Sequence, residues 1–462
     1  MRSALLLALA CAGGCVLSLG DDAADEGAEP DAGAPGQAFP PADGGTAGSG
    51  EAHSARYDGD QERSPVTRSV VERMRSIAGA SAAPDARVFM KVGASGTVSP
   101  LFLDCLSTGP LDLDGRDQLV ATIDHYDQAL AAGSSSWARD TLAAEVGQSA
   151  GWAIAGDPSP VEREIAAVRP RVALINYGTN DMNLGATYES ALWRFYEDLS
   201  RLLDELEAAG IVPIVTGLNP RTDDADAARW VPTYDAVTRA VAEARQLPYI
   251  SLYRASRDLP GMGMSSDGIH GNVYAIDGTT RPCLFTADGL AFNYNRRNLL
   301  TLETLDDVRR TALDGDEAPD AETAGYSGTG SADAPIAIDR LPFSHQGDTS
   351  AWPQAAIDRY ASCDQGQDES GPEVLYRFAI DEPAALRFLV LTRGEVDVDL
   401  HLLAGAPDPT ACVERAHRIL ERTLAPGSYY LSVDTFVAGG EARSGAYTLV
   451  VLRCEPGDLR CL

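Results

Sequence analysis

Between residues 88 and 253, short apolar runs alternate with a segment of helical period, and that alternation leaves few folds open. VFMKV (88–92) is bounded by turn signals. Residues 188–209 carry Leu192, Phe195, Leu199, Leu202, Leu203 and Leu206 at helical spacing, and Gly210 ends the segment. IVPIVTG follows as a strand, with VALINYG (172–178) before it and LPYISLY (247–253) after it. A β-α-β-α succession predicts a three-layer α/β fold, a parallel sheet covered by helices. Functional residues in such a sheet gather past the carboxyl ends of the strands.

Beyond residue 336 the pattern changes. EVLYRFAI, ALRFLVLT, VDVDLHLL, GSYYLSVDTF and GAYTLVVL read with period two between Pro, Gly and Asp turns. That predicts an all-β antiparallel sandwich of about a hundred residues. Two stretches, Gly20 to about Arg63 and DGDEAPDAETAGYSGTGSADAP (314–335), are nearly free of large aliphatic side chains. Such segments cannot offset their ordering entropy and are expected to be disordered spacers. The expected division is a signal at 1–15, a disordered linker at 16–66, an α/β domain at 67–313, a linker at 314–335 and a sandwich at 336–462.

The formal net charge of −31 argues against nucleic acid and against an anionic membrane surface as partners. Lys91 is the only lysine, which is read as the coding bias of a GC-rich genome. At the N-terminus, Arg2 precedes the apolar stretch Ala4 to Ala10, and Ala12, Gly13 and Gly14 precede Cys15. This is an export signal too short to span a bilayer. It resembles a bacterial lipoprotein signal, with Cys15 lipidated and Cys11 the less favoured alternative; simple cleavage and secretion stays open. Eight cysteines less Cys11 and Cys15 leave Cys105, Cys283, Cys363, Cys412, Cys454 and Cys461. An even number outside the cytoplasm reads as disulfides, and the lack of a C-x-x-C pair argues against a zinc site of that type. The expected location is the bacterial cell envelope or the medium.

Three motifs carry chemistry. Ser95 follows VFMKV in KVGASGTVSP, on a turn after the first strand. A serine hydroxyl needs a base, the base an orienting partner, and the oxyanion fixed donors. INYGTNDMN (175–183) places Asn180 past the end of a strand, although Gly-Thr-Asn-Asp is also a good turn and helix cap. SSDGIHGN (265–272) sets Asp267 three residues before His270, a spacing at which the carboxylate can fix the tautomer of the ring.

The order of these blocks resembles the SGNH (GDSL-type) hydrolase family over roughly residues 85–310. The resemblance implies a carboxylic ester hydrolase with Ser95 as nucleophile, His270 as general base and Asp267 as its partner. It further implies an oxyanion hole of Ser95 N–H, the Asn180 amide and a glycine N–H from VGQSAGWAIAG (146–156), Gly151 matching best and Gly147 next. It implies no metal and no organic cofactor. Expected partners are an ester substrate, acylated polysaccharide among them, and the expected state is a monomer. The chain departs from the family at the elbow. Gly93-Ala94-Ser95-Gly96 replaces Gly-Asp-Ser followed by Leu or Ile, so a bracing aspartate is missing at Ala94. An inactive envelope or carbohydrate-binding protein of this fold is therefore the alternative. An α/β-hydrolase fits less well, because Thr97 stands where its elbow needs a glycine.

The carboxy-terminal segment resembles the prepeptidase C-terminal type of β-sandwich. Asp364, Asp368, Glu369 and Asp434 are read as a solvated acidic loop and an ordinary strand aspartate rather than a calcium site. A Cys105–Cys283 bridge would clamp the nucleophile's helix to the histidine loop; Cys363 with Cys412 and Cys454 with Cys461 are the other candidate pairs.

Overall fold

The structure, a computed structural model, describes residues 54–351, 355–363 and 366–461. Cys11, Cys15, Asp364 and most of the first expected spacer lie outside the described residues. Four strands, β1 (Asp85–Gly93), β2 (Pro170–Asn176), β3 (Val212–Thr216) and β4 (Tyr249–Ile250), pair in parallel and in chain order. From Val88 to Gly93 every residue of β1 is buried, as a strand covered on both faces requires. LPYISLY forms only a two-residue strand, because Ser251 caps a new helix, Leu252–Arg257, by accepting the Arg254 N–H.

The helix Tyr188–Ala208 buries all six of the apolar residues that its period marked. Thr187 and Ser190 start it with reciprocal side-chain to backbone bonds. The helix Ala225–Ala244 is buried along almost its whole length, which one apolar stripe against one sheet does not explain. Its other side is covered by the carboxy-terminal half of the chain.

That half is a two-sheet β region. One sheet orders Ile419–Leu424, Ala384–Thr392, Ala446–Arg453 and Phe343–Asp348, all antiparallel. The other orders Cys412–Ala416, Val398–Ala404, Gly427–Thr435, Glu373–Ile380 and the short Ile336–Ala337. Leu386, Phe388, Val390, Leu449 and Val451 point into the core between the sheets. Their neighbours Leu389, Leu391, Val450 and Leu452 join the core of the α/β half instead. Between the halves, Arg387 stacks 4.0 Å over the Trp230 ring and donates to Thr233 Oγ1 and Asp458.

Two expected spacers differ from the expectation. Residues 54–66 are tied down: Tyr57 is buried and its hydroxyl donates to the Leu247 carbonyl. Segment 314–335 runs across both halves, with Asp320 accepting the Val66 N–H and the Tyr326 hydroxyl lying 2.7 Å from both Glu243 Oε1 and the Ser344 carbonyl oxygen, to either of which it can donate. Isolated anchors in a polar run, one tyrosine in each, suffice to order it. In the acidic loop, Asp368 lies at the surface bonded to Ser370, and Glu369 is buried. Asp434 lies in the strand Gly427–Thr435 as read, but it is buried and accepts the Tyr360 hydroxyl, and burial raises its pKa well above the usual range.

All three candidate cysteine pairs are bonded: Cys105–Cys283, Cys363–Cys412 and Cys454–Cys461. Among the described residues no helix is long and apolar enough to cross a membrane. Because one β-sheet face completes the α/β core, Leu389→Ala is expected to cost about 2–5 kcal/mol. Urea unfolding followed separately in the two halves should give one coincident transition. Two separated transitions would show that the halves do not share a core.

Candidate active site

β1 delivers the chain to a tight turn. An added Cβ on Gly93 would lie 2.2 Å from Thr97 Oγ1 and 2.8 Å from the Asn176 carbonyl oxygen, so only glycine fits there. Ala94 is extended and Ser95 opens the one-turn helix Ser95–Val98. Thr97 and Val98 N–H both bond the Ala94 carbonyl. The Ser95 and Gly96 N–H groups have no acceptor among the described residues, the usual state of a first helical turn.

The histidine loop builds the other side. Ser265 N–H bonds the His270 carbonyl at 2.8 Å, and Gly268, with φ +70°, makes the turn between Asp267 and His270. Asp267 Oδ1 accepts the N–H groups of Ile269 and His270 and the Ser265 hydroxyl, each at 2.9 Å. Its Oδ2 lies 2.7 Å from His270 Nδ1, and His270 Nε2 lies 2.8 Å from Ser95 Oγ. The backbone N–H groups of His270 and Ile269 hold the Asp267 carboxyl well below the usual carboxylate range. An ionised Asp267 only accepts, so the proton of a neutral ring sits on Nδ1 and Nε2 is free to accept from Ser95.

Asn180 stands past the end of β2 and donates through Nδ2 to the Gln148 carbonyl at 2.9 Å, leaving its second amide hydrogen uncommitted. Gly151 is the second residue of the short helix Ala150–Ala153, capped by Ser149. An added Cβ on Gly151 would lie 2.4 Å from Asp198 Oδ2. The N–H groups of Gly151 and Ser149 have no acceptor among the described residues, so Ser149 offers a donor that the sequence did not point to. Gly147, with φ +82°, turns the loop in open space.

Asp181 is the residue that sequence reasoning passed over. It is buried, accepts Ala150 N–H on Oδ1 and Gly178 N–H on Oδ2, each at 2.9 Å, and so ties the Asn180 turn to the Gly151 loop. Burial pushes its carboxyl up to about 6 against these two bonds. The signal was present in Gly-Thr-Asn-Asp, but the motif also reads as an ordinary turn.

The bridged Cys105 begins the short helix Cys105–Thr108, a separate helix from the one that carries Ser95. The clamp therefore joins the histidine side of the chain to the segment after the nucleophile helix, not to that helix itself. Two cavities of about 300 and 250 Å³ lie beside Tyr253 and Glu455, and neither is lined by Ser95, Asn180 or His270.

Residues 130–274 match the GDSL-like lipase/acylhydrolase family, a span that holds Gly151, Asn180, Asp267 and His270 and begins after Ser95. The chain therefore carries a GDSL-like lipase/acylhydrolase domain over residues 130–274. No curated protein matches the sequence. A putative acylhydrolase from Bacteroides fragilis is similar at 17% identity, over 51% of this chain and 95% of that one, with a TM-score of 0.30. A catalytic mutant of an acetylxylan esterase from Geobacillus stearothermophilus is similar at 14% identity, over 48% and 95%, with a TM-score of 0.31. The pre-peptidase C-terminal domain of a Bacillus anthracis collagenase is similar at 16%, over 24% and 89%, with a TM-score of 0.17.

Asp181→Asn keeps the shape but puts an amide NH2 against one of two backbone donors. A buried donor left unsatisfied costs about 1–3 kcal/mol. Chemical denaturation should show a loss of that size, with a fall in turnover as the Asn180 loop loosens; unchanged stability and turnover would refute the tie.

Proposed function

We propose that the protein is a serine esterase that cleaves short acyl esters, acetyl groups on carbohydrate among them, through Ser95, His270 and Asp267. The observation that carries this reading is the continuous hydrogen-bonded chain from Ser95 Oγ through the His270 ring to Asp267, at 2.8 and 2.7 Å.

Ser95 Oγ attacks the ester carbonyl carbon while its proton passes to His270 Nε2. Ionised Asp267 balances the imidazolium. The carbonyl oxygen takes the negative charge, facing the Ser95 N–H, the Asn180 amide and the N–H of Gly151, with Ser149 N–H the neighbouring donor. His270 then gives its proton to the departing alcohol oxygen as the C–O bond breaks, leaving acyl-Ser95. A water deprotonated by His270 attacks the acyl carbon; the acyl–Oγ bond then breaks, Ser95 Oγ takes the proton back from His270 and the acid leaves.

The His270 and Asp267 side chains are 41% and 49% exposed, so the site is shallow. A long acyl chain gains affinity by burial, which a shallow site does not give. A small acyl group presented on a large polar alcohol needs no such burial. Ala94 motivates the second reading, a binding protein of the same fold without activity.

One experiment separates the two. Purified protein should hydrolyse p-nitrophenyl acetate faster than p-nitrophenyl palmitate and label with a fluorophosphonate at Ser95; Ser95→Ala should abolish both. Asn180→Ala should lower kcat about 10²–10³-fold, and Asp267→Asn roughly 10⁴-fold by removing the acceptor that fixes the tautomer. Folded protein that neither labels nor hydrolyses would leave only the binding reading.

The three disulfides support export. With its leader, the protein expressed in a bacterium should enter the envelope fraction and carry fatty acyl chains on Cys15. Release without lipid would replace the anchor with secretion, and retention in the cytoplasm would overturn export.

A further inference from the structure

We propose that Arg297 is the positioning residue of the nucleophile turn, supplying from the last α/β helix the brace that Ala94 cannot. The proposal rests on the reading of Ser95 as nucleophile. Arg297 lies on the helix Asn293–Val308 and is 2% exposed. Its Nη1 donates to the Gly96 carbonyl at 3.0 Å and its Nη2 lies 3.5 Å from Thr97 Oγ1. The guanidinium sits 3.9 Å over the Phe102 ring.

No carboxylate among the described residues pairs with it, and its Nε has no hydrogen-bond partner. The titratable neighbours that interact with it are Lys91, which pairs with Asp104, and the neutral phenol of Tyr294. Burial lowers its pKa to about 10, which leaves it protonated near neutrality. An unpaired cation held in the interior is costly, and a well-packed apolar side chain of like volume is the cheaper solution. What this cation does hold is the peptide of the residue after Ser95.

Gly96 is the counterpart of the arginine. An added Cβ there would lie 3.0 Å from Arg297 Nη1, so the bulky Leu or Ile of the usual elbow would take the place of the guanidinium. Ala94, Gly96 and Arg297 thus act together at this turn: the first supplies no brace, the second leaves room for one, and the third provides it. A charge-assisted bond to the Gly96 carbonyl fixes the turn that carries the free Ser95 and Gly96 N–H groups. The same positive charge, in a region of low dielectric, favours the negative charge that develops beside that turn.

The test compares wild type, Arg297→Met and Arg297→Lys in the full disulfide-bonded chain, by thermal unfolding, p-nitrophenyl acetate kinetics, and the rate of fluorophosphonate labelling at Ser95. Arg297→Met should unfold at the same or a higher temperature, yet label and turn over about 10²-fold more slowly, the loss expected of a displaced reacting group. KM should change little. Arg297→Lys should recover part of the rate. Stability and activity falling together in both variants, with no recovery in Arg297→Lys, would mean a structural role only and overturn the proposal; so would full turnover in Arg297→Met. Wild type that hydrolyses ester but is not labelled at Ser95 would overturn the nucleophile reading, and the proposal with it.

Discussion

The hydrogen bond between His270 Nε2 and Ser95 Oγ joins residues 175 positions apart, and its 2.8 Å length has to be held by parts of the chain that share no local contact. β1 ends at Gly93 with no space for a side chain, which fixes where Ser95 begins its helix. On the far side, Thr222 N–H bonds the Gly268 carbonyl, and a Cβ on Gly268 would lie 2.5 Å from the Asp223 nitrogen. The turn of Asp267 and His270 is therefore seated on the loop that follows β3. The Cys105–Cys283 bridge closes 178 residues around the same region. In the chain-entropy account, closing so long a loop is worth about 5 kcal/mol against the unfolded state.

Asp181 shows the cost of such rigidity. Its carboxyl ordinarily titrates near 3.8 and is raised to about 6 in the fold. Between those values the folded protein keeps a proton that the unfolded chain has lost. Stability from this group is therefore highest at acid pH and declines as pH rises through that window. The group is retained although it is expensive when ionised, because it is the acceptor shared by the two loops that present Asn180 and Gly151.

Legibility in the sequence followed the range of the forces involved. VFMKV, VALINYG and the leucine-rich helix were readable because period and turn residues act within a few positions. The motif order brought Ser95, Asn180, Asp267 and His270 to one edge for the same reason, since strand ends are set locally. ALRFLVLT and GAYTLVVL were read as strands of a sandwich, yet their continuous apolar character held more: Leu389 and Val450 face a second core. The strand Phe343–Asp348, the packed segment around Tyr57 and the path of Tyr326 were not readable, because single long-range contacts order them. Asp181 and Arg297 were missed for a related reason. Nothing near them in sequence records that one bonds residue 150 and the other residue 96.

Asp267 and Arg297 show two opposite ways of placing a charge beside the same serine. Asp267 is half exposed, and its ionisation comes from backbone donors that also make its turn, so it costs the fold little. Arg297 is buried, without a carboxylate partner among the described residues, and its influence on the turn is correspondingly unscreened. An aspartate in the elbow would have braced the turn locally with a negative charge. With Ala94 there, the turn is bonded instead by a cation from another helix, which reaches the Gly96 carbonyl where no side chain stands in its way. Ala94 brings no charge of its own to this turn, and the guanidinium bonded to the Gly96 carbonyl is the charge that the fold brings there instead.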